Sequence, residues 1–198
     1  MKSWHKQILA GITVLSSVFA AQAQTADFPS KPIRIIVPFA SGSGSDTNAR
    51  FYAERMAVLL GQPVIVENKP GADATIGMMA AKAAPADGYT IVQGGSSPSV
   101  VNAVVFPNLG YDPLKDFTPV LGYGRNMNVI LVPNNSKLNT FAELIEQAKA
   151  SPTALTVGTF STTLNLTAAW LGTMAKIKLT NVPYKGQSQI MTDVMGGH

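Results

Sequence analysis

Hydrophobic residues occur along this chain in two alternating kinds of segment. Short β-branched runs, such as residues 33–37, are followed by stretches with apolar residues at helical spacing, such as residues 47–60. This alternation predicts an α/β fold with mainly parallel sheets. The predicted strands are residues 33–37, 64–67, 89–93, 120–124, 129–132, 155–158 and 179–183, and the predicted helices are 47–60, 76–84, 140–150, 164–174 and 188–195.

The first strand ends in a loop of small residues that leads into the first helix. Residues 40–45 are Ala, Ser, Gly, Ser, Gly and Ser, Asp46 follows as the predicted N-cap, and Gly61 is predicted to end the helix. Small residues let backbone approach a ligand and leave N–H groups free at the positive end of the helix dipole. The loop therefore favours an anion.

Two other interpretations of this loop remain open. Gly42-x-Gly44 after a strand is similar to a dinucleotide-binding fingerprint, and Glu67 follows at about the place of a ribose-binding acid. Thr47 occupies the third glycine position of that fingerprint, however, so the packing of the helix against the strand would differ. Alternatively, the small residues only form a tight turn between strand and helix.

The N-terminus predicts export. Lys2 and Lys6 precede an apolar stretch at residues 8–21, and Ala21-Gln-Ala23 has the form of a signal-peptidase site. We expect residues 1–23 to be a cleaved signal peptide and the product to be a soluble periplasmic protein, although a buried N-terminal helix is the alternative. The apolar stretch is too short for a good membrane span.

Charge and residue content narrow the function further. The chain carries 15 Lys and Arg against 11 Asp and Glu, and loss of Lys2 and Lys6 with the signal peptide reduces the net charge from +4 to +2. This charge is too small for a nucleic-acid partner. There is no Cys, and the two His are His5 and His198. Thiol-based, Ser-His and His-metal sites therefore lack their components, and we expect no catalysis, metal or cofactor.

A series of motifs resembles the receptors of tripartite tricarboxylate transporters, also called Bug proteins. The resemblance covers essentially the whole chain after the signal peptide, in order, and several motifs in series are more specific than one glycine-rich loop. The matching segments are Phe28–Ala40 with Asp46, Gly61–Ala72, Ala83–Thr90, Tyr111–Phe117, Val182–Gly186 and Asp193–Gly197.

The resemblance implies a non-catalytic periplasmic receptor with the type II periplasmic-binding fold. Its two lobes, each with a mainly parallel sheet, would close around a small carboxylated molecule and deliver it to the membrane permease subunits of a tripartite transporter. We expect lobe 1 at residues 24–124, part of lobe 2 at residues 125–198, and a monomer. An exported carboxylate-dependent enzyme or a sensor partner on a related fold is the alternative function.

The same resemblance implies that two loops, one from each lobe, bind the carboxylate through backbone N–H groups and water. In the first loop Asp46 is either a helix cap or a ligand contact. Ser96 and Ser97 follow the third predicted strand, where α/β sheets place ligands, although a plain loop is the alternative there. Tyr184 lies in the matching Val182–Gly186 motif. The predicted ligand-binding residues are Phe39, Ala40, Ser41, Gly42, Ser43, Gly44, Asp46, Ser96, Ser97, Thr159, Phe160, Ser161, Thr162 and Tyr184.

The sequence departs from the family pattern at several of these positions. Ser41 and Ser43 replace a usual Pro and Gly, the loop at residues 158–163 is shorter, and Asn165 stands where His is usual. The family also continues beyond the segment that ends at His198, so we expect a C-terminally truncated sequence with an incomplete second lobe. The identity of the carboxylate does not follow from the resemblance.

Overall fold

The computed structural model describes residues 27–125 and 127–197. In these residues the chain folds into five strands, paired in parallel, with helices between them. The strands are β1 (Ile33–Val37), β2 (Val64–Asn68), β3 (Thr90–Val92), β4 (Leu155–Thr159) and β5 (Leu179–Pro183). The helices are α1 (Gly44–Leu60), α2 (Thr75–Lys82), α3 (Asn102–Val105), α4 (Phe141–Ala150), α5 (Thr162–Ala175) and α6 (Gln187–Gly196). A π-helical turn, Ser97–Val101, leads into α3.

The strands form two separate sheets within the unit that starts at Lys31. The first has the order β2-β1-β3, with Ile35 opposite Val66 and Ile91, and the second pairs β4 with β5. All of these pairings are parallel, so the α/β prediction is confirmed. The predicted lobe boundary after residue 124 stays a prediction, and the predicted signal peptide lies outside the described residues.

The main core lies between β1 and α1. Buried side chains of the strand pack against small residues of the helix, and β2 and β3 add side chains at the edges of this core. Central strands of parallel sheets are buried on both faces, which explains the continuous apolar run of β1. The core consists of Ile35, Val37, Ala49 and Ala53, with Phe39, Met56, Val64, Val66 and Ile91 packed around them.

The strands predicted at residues 120–124 and 129–132 are wrong. Neither helix nor strand occurs at residues 117–125 or 127–133, and Val120 and Leu121 are 82% and 77% exposed. A strand needs a neighbour to pair its backbone groups, and no strand of the described residues pairs with these runs. The apolar composition of these runs, which is mainly β-branched only in residues 129–132, therefore did not produce a strand here.

Candidate functional site

The loop between β1 and α1 adopts a tight capped turn. Ser43 has extended backbone angles, and its Oγ accepts a hydrogen bond from the Asp46 N–H at 3.2 Å. Ser43 is therefore the N-cap, and the prediction that Asp46 is the cap is wrong. Since the cap lies three residues earlier than predicted, α1 starts at Gly44 rather than Thr47.

Asp46 instead organises the loop from inside. Its side chain is buried, and the Oδ2 atom accepts hydrogen bonds from the Gly42 N–H at 2.8 Å and the Ser41 hydroxyl at 3.3 Å. Asn68, at the end of β2, donates to Asp46 Oδ1 at 2.9 Å, and Arg50 forms an ion pair with the same oxygen at 3.0 Å. These contacts join the loop, α1 and β2 into one network.

The pKa of Asp46 shows that this network stabilises the charged carboxylate. Burial by itself would raise the pKa, but the hydrogen bonds from Arg50, Gly42 and Asn68 and the positive charge of Arg50 lower it from 3.8 to about 2. The Gly42 N–H is consequently occupied by a protein group. Asp46 thus stabilises the shape of the loop by accepting hydrogen bonds from Ser41 and Gly42.

The loop has fewer open donors than the sequence predicted. The Ser43 N–H donates to the Ala40 carbonyl at 3.2 Å, and the Thr47 N–H donates to the Ser43 carbonyl at 2.9 Å. Within the described residues, the N–H groups of Gly44 and Ser45 have no such partner. These two groups lie in the first turn of α1, where the helix dipole favours an anion.

The start of α6 lies beside this loop, which sequence reasoning missed. A methyl group placed on Gly42 would lie 4.0 Å from Ser188 Oγ, and one on Gly44 would lie 3.9 Å from Gln187 Oε1. One placed on Gly186 would lie 3.6 Å from Ala40 Cβ. Gly186 is the N-cap of α6 and has no side chain to cap the helix. The first turns of α1 and α6 therefore border the same space.

The loop between β4 and α5 is built mainly from hydroxyl groups. Thr159 is buried and donates to Asn181 Oδ1 at 2.8 Å. Ser161 is the N-cap of α5 and accepts from the Leu164 N–H at 3.4 Å. Thr162 Oγ1 is buried and has no hydrogen-bond partner among the described residues. Phe160 lies between these hydroxyl groups and is half-buried.

Ser96 and Ser97 differ sharply in their surroundings. Ser96 is exposed, whereas Ser97 is buried and its Oγ lies 2.8 Å from Thr163 Oγ1. The structure therefore brings the segment after β3, in the first sheet, to the start of α5, which follows β4 of the second sheet. Ser97 already forms the first π-helical turn and is not part of a plain loop.

Tyr184 is held by its own sheet and helix. Its ring covers Gly158, where a methyl group would lie 3.0 Å from Tyr184 Cε2. Its hydroxyl donates to Asp193 Oδ2 at 2.7 Å, and this hydrogen bond raises the pKa of Tyr184. A role of Tyr184 in ligand binding stays a prediction.

Glu67, the acid of the dinucleotide alternative, is engaged by two cations. Its carboxylate forms ion pairs with Lys69 at 2.6 Å and Arg34 at 3.3 Å, and the hydrogen bond from Lys69 contributes most to lowering its pKa.

The described residues contain no group of three or more side chains suited to a metal ion. In the same residues no helix has the length and apolar character of a membrane span.

Residues 48–198 match the family model described as tripartite tricarboxylate transporter family receptor. The chain belongs to this family. A relative from Cupriavidus necator, the UPF0065 protein in gbd 5'region, is 36% identical over 205 residues, which cover 100% of this chain and 62% of the relative. The resemblance to Bug-type receptors is thereby confirmed.

Solved structures of similar proteins have the same fold. One described as a periplasmic transporter has a TM-score of 0.81 and 38% identity, and R. palustris Rpa4515 with adipate has a TM-score of 0.79 and 33% identity. Each match covers 86% of this chain and 58% of the solved chain. The chain therefore spans about three fifths of the length of the solved proteins that it matches. The predicted relationship to periplasmic binding proteins is confirmed.

Proposed function

We propose that this chain captures a small carboxylate in the periplasm, without catalysis, for the permease of a tripartite transporter. The observation that carries the proposal is the adjacency of the start of α1, at Gly44, and the start of α6, at Gln187. A methyl group on Gly44 would lie 3.9 Å from Gln187 Oε1, and one on Gly186, the N-cap of α6, would lie 3.6 Å from Ala40 Cβ. Open N–H groups and two dipoles of the same sign favour a negatively charged group between them. The related R. palustris Rpa4515 was solved with adipate, a dicarboxylate, which is consistent with a negatively charged ligand.

A carboxylate with a small cross-section suits the space between the two helix starts. A methyl group on Gly42, Gly44 or Gly186 would be in ordinary van der Waals contact with the other segment, so a larger side chain there would occupy the space between the two segments. Oxygen atoms can approach glycine backbone N–H groups closely. The Ser188 hydroxyl, which lies 4.0 Å from the position of a methyl group on Gly42, is a further donor beside this loop.

Calorimetry and thermal unfolding test the proposal on the full-length chain recovered from a periplasmic fraction. Adipate, other di- and tricarboxylates and amino acids form the panel, and uncharged adipamide is the control ligand. We expect saturable binding of at least one carboxylate without product formation, with stabilisation of about 2.7 kcal/mol at a hundredfold excess over Kd. The intact mass of the same sample reports whether residues 1–23 have been removed.

A charge-swap pair at Gly44 sharpens the test. Gly44 is the first residue of α1, where an aspartate stabilises a helix. Both Gly44→Asp and Gly44→Asn place a side chain in the space beside Gln187 and should weaken carboxylate binding. Gly44→Asp should weaken it at least tenfold more than Gly44→Asn, which has the same shape and no charge. Equal affinities for the two variants would place the carboxylate elsewhere, and turnover of any panel member would support an enzyme instead.

A further inference from the structure

The Ser97 hydroxyl caps a helix that lies 66 residues further along the chain. Its Oγ accepts a hydrogen bond from the Thr163 N–H at 3.2 Å and lies 2.8 Å from Thr163 Oγ1. Ser161, the N-cap of α5, occupies the next donor, the N–H of Leu164. The first turn of α5 is thus capped jointly, by its own loop and by a residue that follows the first sheet.

The segment that carries Ser97 is firmly held. Ser97 is 5% exposed, and Pro98 is fully buried, with its carbonyl accepting a hydrogen bond from the Tyr111 hydroxyl at 2.7 Å. Asn102, also fully buried, donates to the Asp73 carbonyl at 2.7 Å. A hydroxyl on such a fixed turn defines where its partner must lie.

We propose that Ser97 is a positioning residue that fixes the first turn of α5 relative to the first sheet. The contact joins the element after β3 to the helix after β4, so it determines how the hydroxyl-rich loop at residues 159–162 lies relative to the loop at residues 39–44. The hydroxyl acts through Thr163, not by contact with the ligand. The effect on affinity rests on the proposed carboxylate function, whereas the effect on α5 does not.

Removal of the hydroxyl should loosen α5 before any ligand is added. In Ser97→Ala we expect the Thr163 amide to exchange with solvent about tenfold faster, because its hydrogen-bond acceptor is lost. The amides of β1 should be unchanged. The apparent Kd for adipate, or for the best carboxylate of the panel, should rise about tenfold, because fewer molecules hold the site in its binding geometry.

Substitutions at Thr163 provide an independent series. Thr163→Val removes the contact between the Thr163 and Ser97 hydroxyls but keeps the hydrogen bond from the backbone N–H. It should raise both the exchange rate of the residue 163 amide and the Kd about threefold. Thr163→Ser retains the hydroxyl and should leave the exchange rate and the Kd near their natural values. Thr173→Val, the same substitution at the other end of α5, is the matched control and should change neither. If Ser97→Ala does not fold, the Thr163 series decides the question.

Each outcome has a distinct meaning. Faster exchange at Thr163 supports the positioning role even if no carboxylate binds, a result that would overturn only the proposed function. Weaker binding with unchanged exchange would overturn the positioning role, because the hydroxyl would then contact the ligand itself. Unchanged exchange and unchanged affinity in a folded Ser97→Ala protein would also overturn it.

Discussion

Substitution of Asp46 by asparagine tests whether this carboxylate organises the loop at residues 39–44. Its oxygens accept hydrogen bonds from the Gly42 N–H and from Asn68, and pair with Arg50. In the Asp46→Asn variant an NH2 group replaces one carboxylate oxygen. One of the groups that donate to Asp46, from Gly42, Asn68 or Arg50, would then lose its acceptor. We expect the substitution to reduce stability near neutral pH by at least about 2 kcal/mol.

The magnitude follows from the pKa of Asp46. The folded protein lowers the pKa from 3.8 to about 2, so the stabilising contribution is fully present above the unfolded value and is lost as the pH falls through the folded value. Lowering the pKa from 3.8 to about 2 corresponds to about 2.4 kcal/mol of stability, of which roughly 1 kcal/mol is lost by about pH 3 and roughly 2 kcal/mol by about pH 2. Asp46 is 3% exposed, whereas the Arg50 side chain is 53% exposed, so solvent screens the Arg50 part of this contribution more than the hydrogen bonds from Gly42 and Asn68.

Urea unfolding of the full chain between about pH 7 and pH 2 measures the effect. The free energy of unfolding of the natural protein should approach that of Asp46→Asn as the pH falls, and the gap should close mainly below about pH 4. Glu146→Gln, which alters an exposed carboxylate on α4, is the control and should leave the pH dependence unchanged. Parallel curves for the natural protein and Asp46→Asn would refute the assignment of the stabilising charge to Asp46.

Two further substitutions test local packing and capping. Gly77→Ala should destabilise the fold by about 3 kcal/mol in urea unfolding, since its Cβ would lie 2.6 Å from Pro38 Cβ and 2.9 Å from the Lys69 carbonyl oxygen, whereas Gly122→Ala, with open space around it, should cost little. Loss of less than about 1 kcal/mol in Gly77→Ala would show that α2 can move away from β1. Thr140→Ala should cost about 1 kcal/mol because Thr140 Oγ1 accepts from the Glu143 N–H at 3.2 Å, and Thr140→Ser should restore the cap. Equal stability of the Ala and Ser variants would contradict the cap.

Local sequence signals predicted most of the regular elements. β5 has the predicted bounds, and α4 ends at the predicted Ala150 with Thr140 as its cap. Gly61 ends α1 in a left-handed conformation, as its position after the last apolar residues indicated. These features depend on periodicity and capping within a few residues, which a sequence contains directly.

Features that depend on distant residues could not be predicted in the same way. The runs at residues 120–124 and 129–132 have strand composition, but composition does not specify the neighbour that a strand requires. The proximity of Gln187 and Ser188 to the first loop likewise depends on how the second sheet is placed. Gly186, at the end of the Val182–Gly186 motif, is the N-cap of α6 and indicates only that the first turn has no side-chain cap, not which segment lies next to it.

The buried Asp46 does not conflict with an anion site beside it. An isolated carboxylate next to the loop at residues 39–44 would repel a carboxylate ligand, but Arg50 lies 3.0 Å from Asp46 and offsets its charge. The Asp46 oxygens are also directed to the Gly42 N–H and to Asn68, so their lone pairs are occupied by protein donors. The first turn of α1 therefore retains its partial positive charge at Gly44 and Ser45. As a buried, paired part of the loop, Asp46 is therefore compatible with the proposed carboxylate site.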